Sequence, residues 1–354
     1  MDYGNVDTNV SKWLEDMKTA QRLGVPNMAW GVGVGRIWTQ KSKKWIEEIL
    51  PKADTVIVRD KESAFALSEY GVKENVAHTC DPALMLPHLK EFERKHSERP
   101  LPARSSPKIV VCLRHWYVTG NWTFDEQVFS KMKQSLARVL SHLARTMAAS
   151  VTFVPLVTDS HKRDDDREVE EEVRSLIKND GDTKVIDHVP DGREFMQIVS
   201  DSDLLIGMRL HSLIFATAIG VPCVAISYDD KVRSYMSSIG ASNWTLTMEG
   251  ATFENLRRLA DDALNGVYPA ASIREMIENN RKSAGFDLDK AIKLIESSKL
   301  PRNRLMRNFV SSGLIFRRLV SRRKPKALFT TNLVLKETIE ANERKQSSTI
   351  PMDA

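Results

Sequence analysis

Arg209 and His211 stand between two apolar runs in DSDLLIGMRLHSLIFATAIGVPCVAISYDDKV, residues 201–232. The first run, DLLIG, has the near-continuous apolar character of a strand buried on both faces, and LHSLIFATAIG begins a helix. A guanidinium is a planar fork suited to carboxylate or phosphate, and the free N–H groups and positive dipole end of a helix start favour the same charge. The spacing therefore points to an anionic ligand. The plain alternative is that Arg209 caps a neighbouring helix and His211 is a satisfied packing residue. A second strand end carries similar groups: VVCLRHWYV closes an apolar run with Arg114, His115 and Trp116. Arg114 is a second candidate anion clamp, whereas His115 and Trp116 fit packing as readily as substrate binding.

Weaker candidates lie elsewhere. SYDDKV sets Tyr228, Asp229 and Lys231 after the next strand, where they line a cleft or cap a helix. GVGVG (31–35) lets Gly33 bring a loop close to a ligand or simply forms a tight turn; it lacks the third glycine of a dinucleotide fingerprint. Arg59 and Asp60 sit at a strand-to-helix junction, with Asp60 placed to cap the helix KESAFALSEY, and Asp81 before Pro82 reads as a turn residue. HKRDDDREVEEEV (161–173) reads as the solvated start of a helix, and no His or Cys spacing suggests a metal.

The elements that must position these residues alternate between strand and helix. PKIVVCLR, SVTFVPLV, TKVIDHV, DLLIGM and PCVAISY are separated by helical stretches, a βαβ rhythm that predicts a parallel sheet covered on both faces. In such sheets ligands bind outside the carboxyl ends of the strands, which is where Arg114, Arg209 and Tyr228 fall. Upstream, VPNMAWGVG, DTVIVRD and VAHTCDPAL alternate with three helical patterns in a shorter α/β unit, whose last helix has Gly71 at its C-cap. The expected organisation is residues 1–95, a linker at 96–107 within the polar stretch 89–107, a second unit at 108–285, and a helical basic tail at 286–354 with a disordered end.

The chain has 354 residues, 42% hydrophobic, enough for about two domains. No stretch approaches the roughly 18 apolar residues of a membrane span, no export signal follows Met1, and a cytoplasmic location is expected. The net charge of +5 is a property of the tail. Residues 301–326 hold nine Lys or Arg and no acid, so the rest is net acidic and nucleic-acid binding has little support. That basic tail, with Phe309, Leu314, Phe316 and Leu319, is a candidate for peripheral membrane contact or for a solvated or partner-bound helix. Three scattered cysteines, Cys80, Cys112 and Cys223, read as core residues in a reducing compartment.

Taken in order, GVGVG, VRDKES (58–63), CDPAL (80–84), LRHW (113–116) and GMRLHSLIFATAIGVPCVAISYDDKV resemble the polysaccharide pyruvyl transferase family over roughly residues 10 to 290. The resemblance implies two Rossmann-like, doubly wound α/β domains similar to GT-B glycosyltransferases, with the active site between them. It implies transfer of the enolpyruvyl unit of phosphoenolpyruvate onto two hydroxyls of a sugar residue of a polysaccharide or glycan, as a cyclic ketal, with release of phosphate. Arg209, Leu210 and His211 would then hold phosphoenolpyruvate, Leu210 through its backbone, with His211 as general acid and Arg114 as second clamp. Neither a metal nor another cofactor is implied, phosphoenolpyruvate being a co-substrate and the acceptor a free or lipid-linked glycan. The chain departs from the family in having Val32 and Arg36 where Gln and Pro are common. It also starts too late for the family's opening strand and GNxGD-like loop, so the N-terminal domain is expected to be truncated. The rival readings are a GT-B glycosyltransferase using a nucleotide sugar and an inactive relative that scaffolds glycan assembly.

Overall fold

The computed structural model describes residues 8–35, 37, 39–97, 106–116, 125–158, 165–178 and 182–297. Residues 1–7, the basic tail beyond residue 297, most of the expected linker and parts of four loops lie outside the described residues.

The first unit runs α1 (Thr8–Arg22), β1 (Met28–Val32), α2 (Gln40–Ile49), β2 (Thr55–Val58), α3 (Lys61–Glu69) and β3 (Val76–His78). Its strands form a parallel sheet in the order β1-β2-β3. The β1–β2 register shifts between Trp30 and Val32, where Gly31 takes φ +66°, a conformation that glycine adopts without steric cost. α3 ends as its sequence dictates: Asp60 accepts from the Ser63 N–H at 2.7 Å at the start, and Gly71 adopts φ +76° after the last turn.

The second unit runs α4 (Leu89–Ser97), β4 (Lys108–Cys112), α5 (Glu126–Met147), β5 (Ser150–Phe153), α6 (Asp166–Leu176), β6 (Thr183–Val185), α7 (Gly192–Ser200), β7 (Leu204–Gly207), α8 (Leu210–Ile219), β8 (Cys223–Ser227), α9 (Asp230–Ser238), β9 (Thr245–Thr247), α10 (Phe253–Leu264) and α11 (Ala270–Ser297). Its six parallel strands lie in the order β6-β5-β4-β7-β8-β9. Counted within the unit this is 3-2-1-4-5-6, the Rossmann order, whose direction of winding reverses between β4 and β7. The five strands expected in this unit are present; β9 is a three-residue addition with no apolar run to announce it.

α8 explains why the sheet can be so apolar. Eight of its ten residues are buried, and it has no solvent-facing polar stripe. It lies beneath α4, α7 and α9, with the short 3-10 helix Pro82–Met85 and α11 also packed on it. The two cores part at the end of β3. Val10 to Val72 form one cluster, whereas Cys80, Leu84, Leu89 and Phe92 join the core of the six-stranded sheet. The polar segment 89–107 thus begins as a helix anchored by Leu89 and Phe92, an apolar pair three residues apart that the surrounding charges mask in the sequence.

α11 fastens the segment after β3. Arg281 donates from Nε to the Leu84 carbonyl at 3.1 Å and from Nη2 to the Ala218 carbonyl at 3.2 Å, while Nη1 faces Glu93 at 3.3 Å. Cys80 Sγ donates to the Asn280 carbonyl at 3.4 Å. All three cysteines are buried; burial holds the Cys112 thiol well above its usual range and pushes Cys223 up to about 12.

Candidate functional site

The reversal of winding between β4 and β7 opens a crevice at the carboxyl edge of the sheet, and the cationic groups converge there. Arg114 follows β4, Arg209 and His211 follow β7, and Tyr228 and Lys231 follow β8. Two arginines cross the strand ends in opposite directions. Arg114 spans β7 to reach β8: its Nη1 donates to Tyr228 Oη at 2.8 Å and its Cζ lies 4.5 Å from the ring centroid. Arg209 spans β4 towards α6, donating Nε to Asp166 Oδ2 at 3.0 Å and Nη2 to Asp166 Oδ1. Among the described residues Arg209 Nη1 has no hydrogen-bond partner, so part of the fork is open to a ligand.

Asp166 is nearly inaccessible and also accepts from the Leu156 and Val157 N–H groups at 3.1 and 3.0 Å. Burial lifts its carboxyl above the ordinary range, against the opposing pull of Arg209. One helical turn on, fully buried Glu170 accepts from Leu113 N–H at 3.1 Å through Oε1, while Oε2 has no partner among the described residues. Desolvation drives its pKa well up, the signature of a carboxyl held neutral. The expectation of a solvated acidic helix start is thereby corrected for these two residues. Asp166 and Glu170 share the spacing of Val169 and Val173, which marks one buried helix face; that periodicity was the available signal.

α8 differs from its neighbours at its N-terminus. α2, α3, α5, α6, α7, α9 and α10 each begin with a Thr or Asp side chain accepting a first-turn N–H. α8 has Arg209 at that position and no side-chain cap, leaving first-turn donors at Leu210 and His211 beside the guanidinium.

His211 faces the first unit. Its Nε2 lies 4.0 Å from Asp81 Oδ2, and Asp81 in turn accepts from Arg59 Nη1 at 3.1 Å and from Ala83 N–H at 3.0 Å. The imidazole is half-exposed, but at the floor of a cleft where the surrounding protein still disfavours charge. Its pKa is lowered by desolvation; Asp81 opposes this, while Arg59, Lys231 and Arg209 reinforce it. The turn residue Asp81 is thus also a carboxylate bridging the two units. The space enclosed by Arg59, Asp81, Leu210 and Lys231 is about 20 Å³, room for about one water. A larger groove of about 400 Å³ between α5 and the β9–α10 connection shares no residue with this cleft.

The remaining candidates separate by role. Leu210 is buried at the helix start. Lys231 Nζ lies 3.2 Å from Asp229 and 5.2 Å from the Tyr228 ring centroid, and Asp229 caps α9. His115 offers its carbonyl to Arg114 Nε at 3.0 Å, but its ring leans on Phe129 of α5 beside Lys133, so the side chain belongs to packing. A Cβ on Gly33 would come within 2.5 Å of Arg59 Nε and Nη2, so this glycine makes room for Arg59 rather than meeting a ligand itself. Gly31 does the same for Pro82, which a Cβ would approach to 2.1 Å. The three short upstream motifs thus interlock: Gly31 with Pro82, Gly33 with Arg59, and Arg59 with Asp81.

The family model described as polysaccharide pyruvyl transferase matches residues 3–230. No curated protein matches the chain significantly. Solved structures share the two-sheet GT-B-type fold at low identity. A Listeria monocytogenes protein assigned as a UDP-N-acetylglucosamine 2-epimerase superposes with TM-score 0.54 at 14% identity, over 82% of this chain and 74% of that one. The UDP co-structure of S. aureus MnaA gives 0.51 at 14%, over 80% and 72%. The UDP-GlcNAc 2-epimerase from Neisseria meningitidis bound to UDP-GlcNAc gives 0.51 at 12%, over 81% and 80%.

Proposed function

Because the chain belongs to the polysaccharide pyruvyl transferase family, we propose that it transfers the enolpyruvyl unit of phosphoenolpyruvate to two hydroxyls of a sugar residue, forming a pyruvate ketal and releasing phosphate. The observation that carries this reading is the uncapped start of α8, with Arg209, Leu210 and His211 at a cationic strand edge. Phosphoenolpyruvate has two anionic groups, and the edge offers two kinds of receptor: first-turn N–H donors with Arg209 Nη1, and the Arg114–Lys231 pair around Tyr228. Asp166 holds the Arg209 fork in place before the ligand arrives.

The alkene must accept a proton at its methylene carbon so that the adjacent carbon becomes an oxocarbenium-like electrophile, and His211 is the group in position to supply it. Without ligand, desolvation and three cations keep the imidazole neutral, but an arriving dianion reverses that balance, so His211 charges when substrate is bound. Phosphoenolpyruvate acts here as co-substrate, and no resident cofactor or metal enters the reading. The acceptor is a polysaccharide or glycan approaching from the Arg59–Asp81 side; a lipid-linked acceptor would suit a basic tail at a membrane surface. None of the described helices is long and apolar enough to cross a membrane.

The test is phosphoenolpyruvate-dependent phosphate release and pyruvyl transfer to galactosyl and N-acetylmannosaminyl acceptors, for the parent chain, Arg209→Ala and His211→Ala. Folding of each is checked by thermal melt, because Arg209→Ala strands the buried Asp166. His211→Ala should bind phosphoenolpyruvate and lose turnover by roughly 10²–10⁴-fold; Arg209→Ala should lose the binding. Saturable binding of a nucleotide sugar with none of phosphoenolpyruvate would replace this reading with a GT-B glycosyltransferase, and binding of neither would leave the scaffold.

A further inference from the structure

Forming a ketal from an enol phosphate moves protons in opposite directions at the same moment. In the first addition a sugar hydroxyl loses a proton as its oxygen bonds to C2, while C3 gains one. In the second step another hydroxyl loses a proton as it bonds to C2, and the bond from C2 to the phosphate oxygen breaks with its electron pair leaving on phosphate. One imidazole cannot give and take at once, so the site needs a partner group. We infer that Tyr228 is that partner, a second catalytic residue whose phenolate takes the proton of the first attacking hydroxyl while His211 protonates C3. This rests on the pyruvyl-transfer reading.

The argument is geometric. Tyr228 leaves the end of β8, the strand beside β7, and its Oη accepts from Arg114 Nη1 at 2.8 Å. Its ring has the Arg114 guanidinium 4.5 Å and the Lys231 ammonium 5.2 Å from the centroid. Two cations on one phenol favour the oxyanion over the neutral form. The other acids at this edge are committed: Asp229 caps α9 and meets Lys231, Asp81 holds Arg59, and Asp166 and Glu170 are buried behind Arg209. Burial pushes a phenol up, yet here Lys231 and Arg114 outweigh it, with Asp229 pulling the other way, and Tyr228 is held below the ordinary range.

The cycle closes. After the first addition His211 is neutral and Tyr228 carries a proton; Tyr228 then gives that proton to the departing phosphate oxygen, and His211 takes the proton of the second hydroxyl. Both groups return to their starting states, and the products are the ketal and hydrogen phosphate.

Tyr228→Phe tests the assignment with two independent readouts. Tyrosinate absorbance of the parent minus that of Tyr228→Phe isolates one of the six phenols; it should titrate below the ordinary value of about 10, and Lys231→Met should move it up. In turnover, Tyr228→Phe should lower kcat by roughly 10²–10⁴-fold with phosphoenolpyruvate binding retained or tightened, because Arg114 and Lys231 lose a competing oxyanion, and should remove the Tyr228 limb from the pH–rate profile. A phenol titrating in the ordinary tyrosine range, or an unchanged kcat, overturns the inference. A parent chain that never consumes phosphoenolpyruvate defeats the substrate reading and this inference with it, whereas parent turnover that Tyr228→Phe leaves untouched defeats the inference alone.

Discussion

At the level of single side chains, Arg209 is tied to Asp166 before any ligand arrives, and its orientation is set from behind by a carboxylate that solvent barely reaches. Asp166 is in turn backed by Glu170, whose pKa is raised by burial. The sign of that shift gives a pH signature. A carboxyl with a raised folded pKa contributes stability that is fully present below the ordinary glutamate value of about 4.3 and is lost as pH climbs through the folded value. Glu170→Gln, a neutral isostere, should match the parent at the acid end and exceed it increasingly as pH rises. Melting temperature against pH for the two proteins checks this; curves that stay parallel would mean Glu170 is not held neutral.

At the level of elements, the carboxyl ends of β1, β2 and β3 act on His211 through one chain of contacts, Gly33 to Arg59 to Asp81. Two substitutions should move the histidine in opposite directions. Asp81→Asn removes a carboxylate that supports the charged imidazole, so its pKa falls and the high-pH limb of kcat/KM shifts to lower pH. Gly33→Ala drives the Arg59 guanidinium off Asp81, taking away a repelling cation and freeing the carboxylate, so the pKa rises. Imidazole NMR titration reads both, and shifts of the same sign would break the proposed chain. The sequence made part of this legible. Apolar runs located the strands, and the position of Arg209 and His211 after DLLIG placed them at a strand's carboxyl edge. Arg59 and Asp81 were visible only as capping and turn residues, because their second role depends on a strand some 130 residues away. Asp166 and Glu170 were hidden by the acids around them, since composition outweighed the spacing they share with Val169 and Val173. Gly33 was recognised as permitting a close approach, but the group that approaches it is Arg59 of its own chain.

For the whole molecule, the cleft is built from two sheets whose carboxyl edges face each other, and α11 fastens the segment after β3 to α8 through Arg281. Replacing this nearly buried guanidinium by methionine leaves the Leu84 and Ala218 carbonyls without this donor and Glu93 with Arg274 as its remaining cation. Arg281→Met should therefore cost about 3 kcal/mol of stability, seen as a lower denaturation midpoint with an unchanged slope; a loss below about 0.5 kcal/mol would make the contact incidental. With room for about one water between Arg59 and Leu210, the proposed seating of substrate on α8 would require the first unit to draw back, because eight of the ten α8 residues are buried and the helix is held by its neighbours. The buried cysteines turn that movement into something directly observable. Cys80, Cys112 and Cys223 are shielded, and the thiolate that reacts with alkylating dyes is suppressed at Cys112 and Cys223. A pair of cysteines introduced at exposed positions, one on α3 and one on α10, would take up donor and acceptor fluorophores while the native three stay silent. The distance across the cleft could then be followed during turnover in an otherwise unaltered protein.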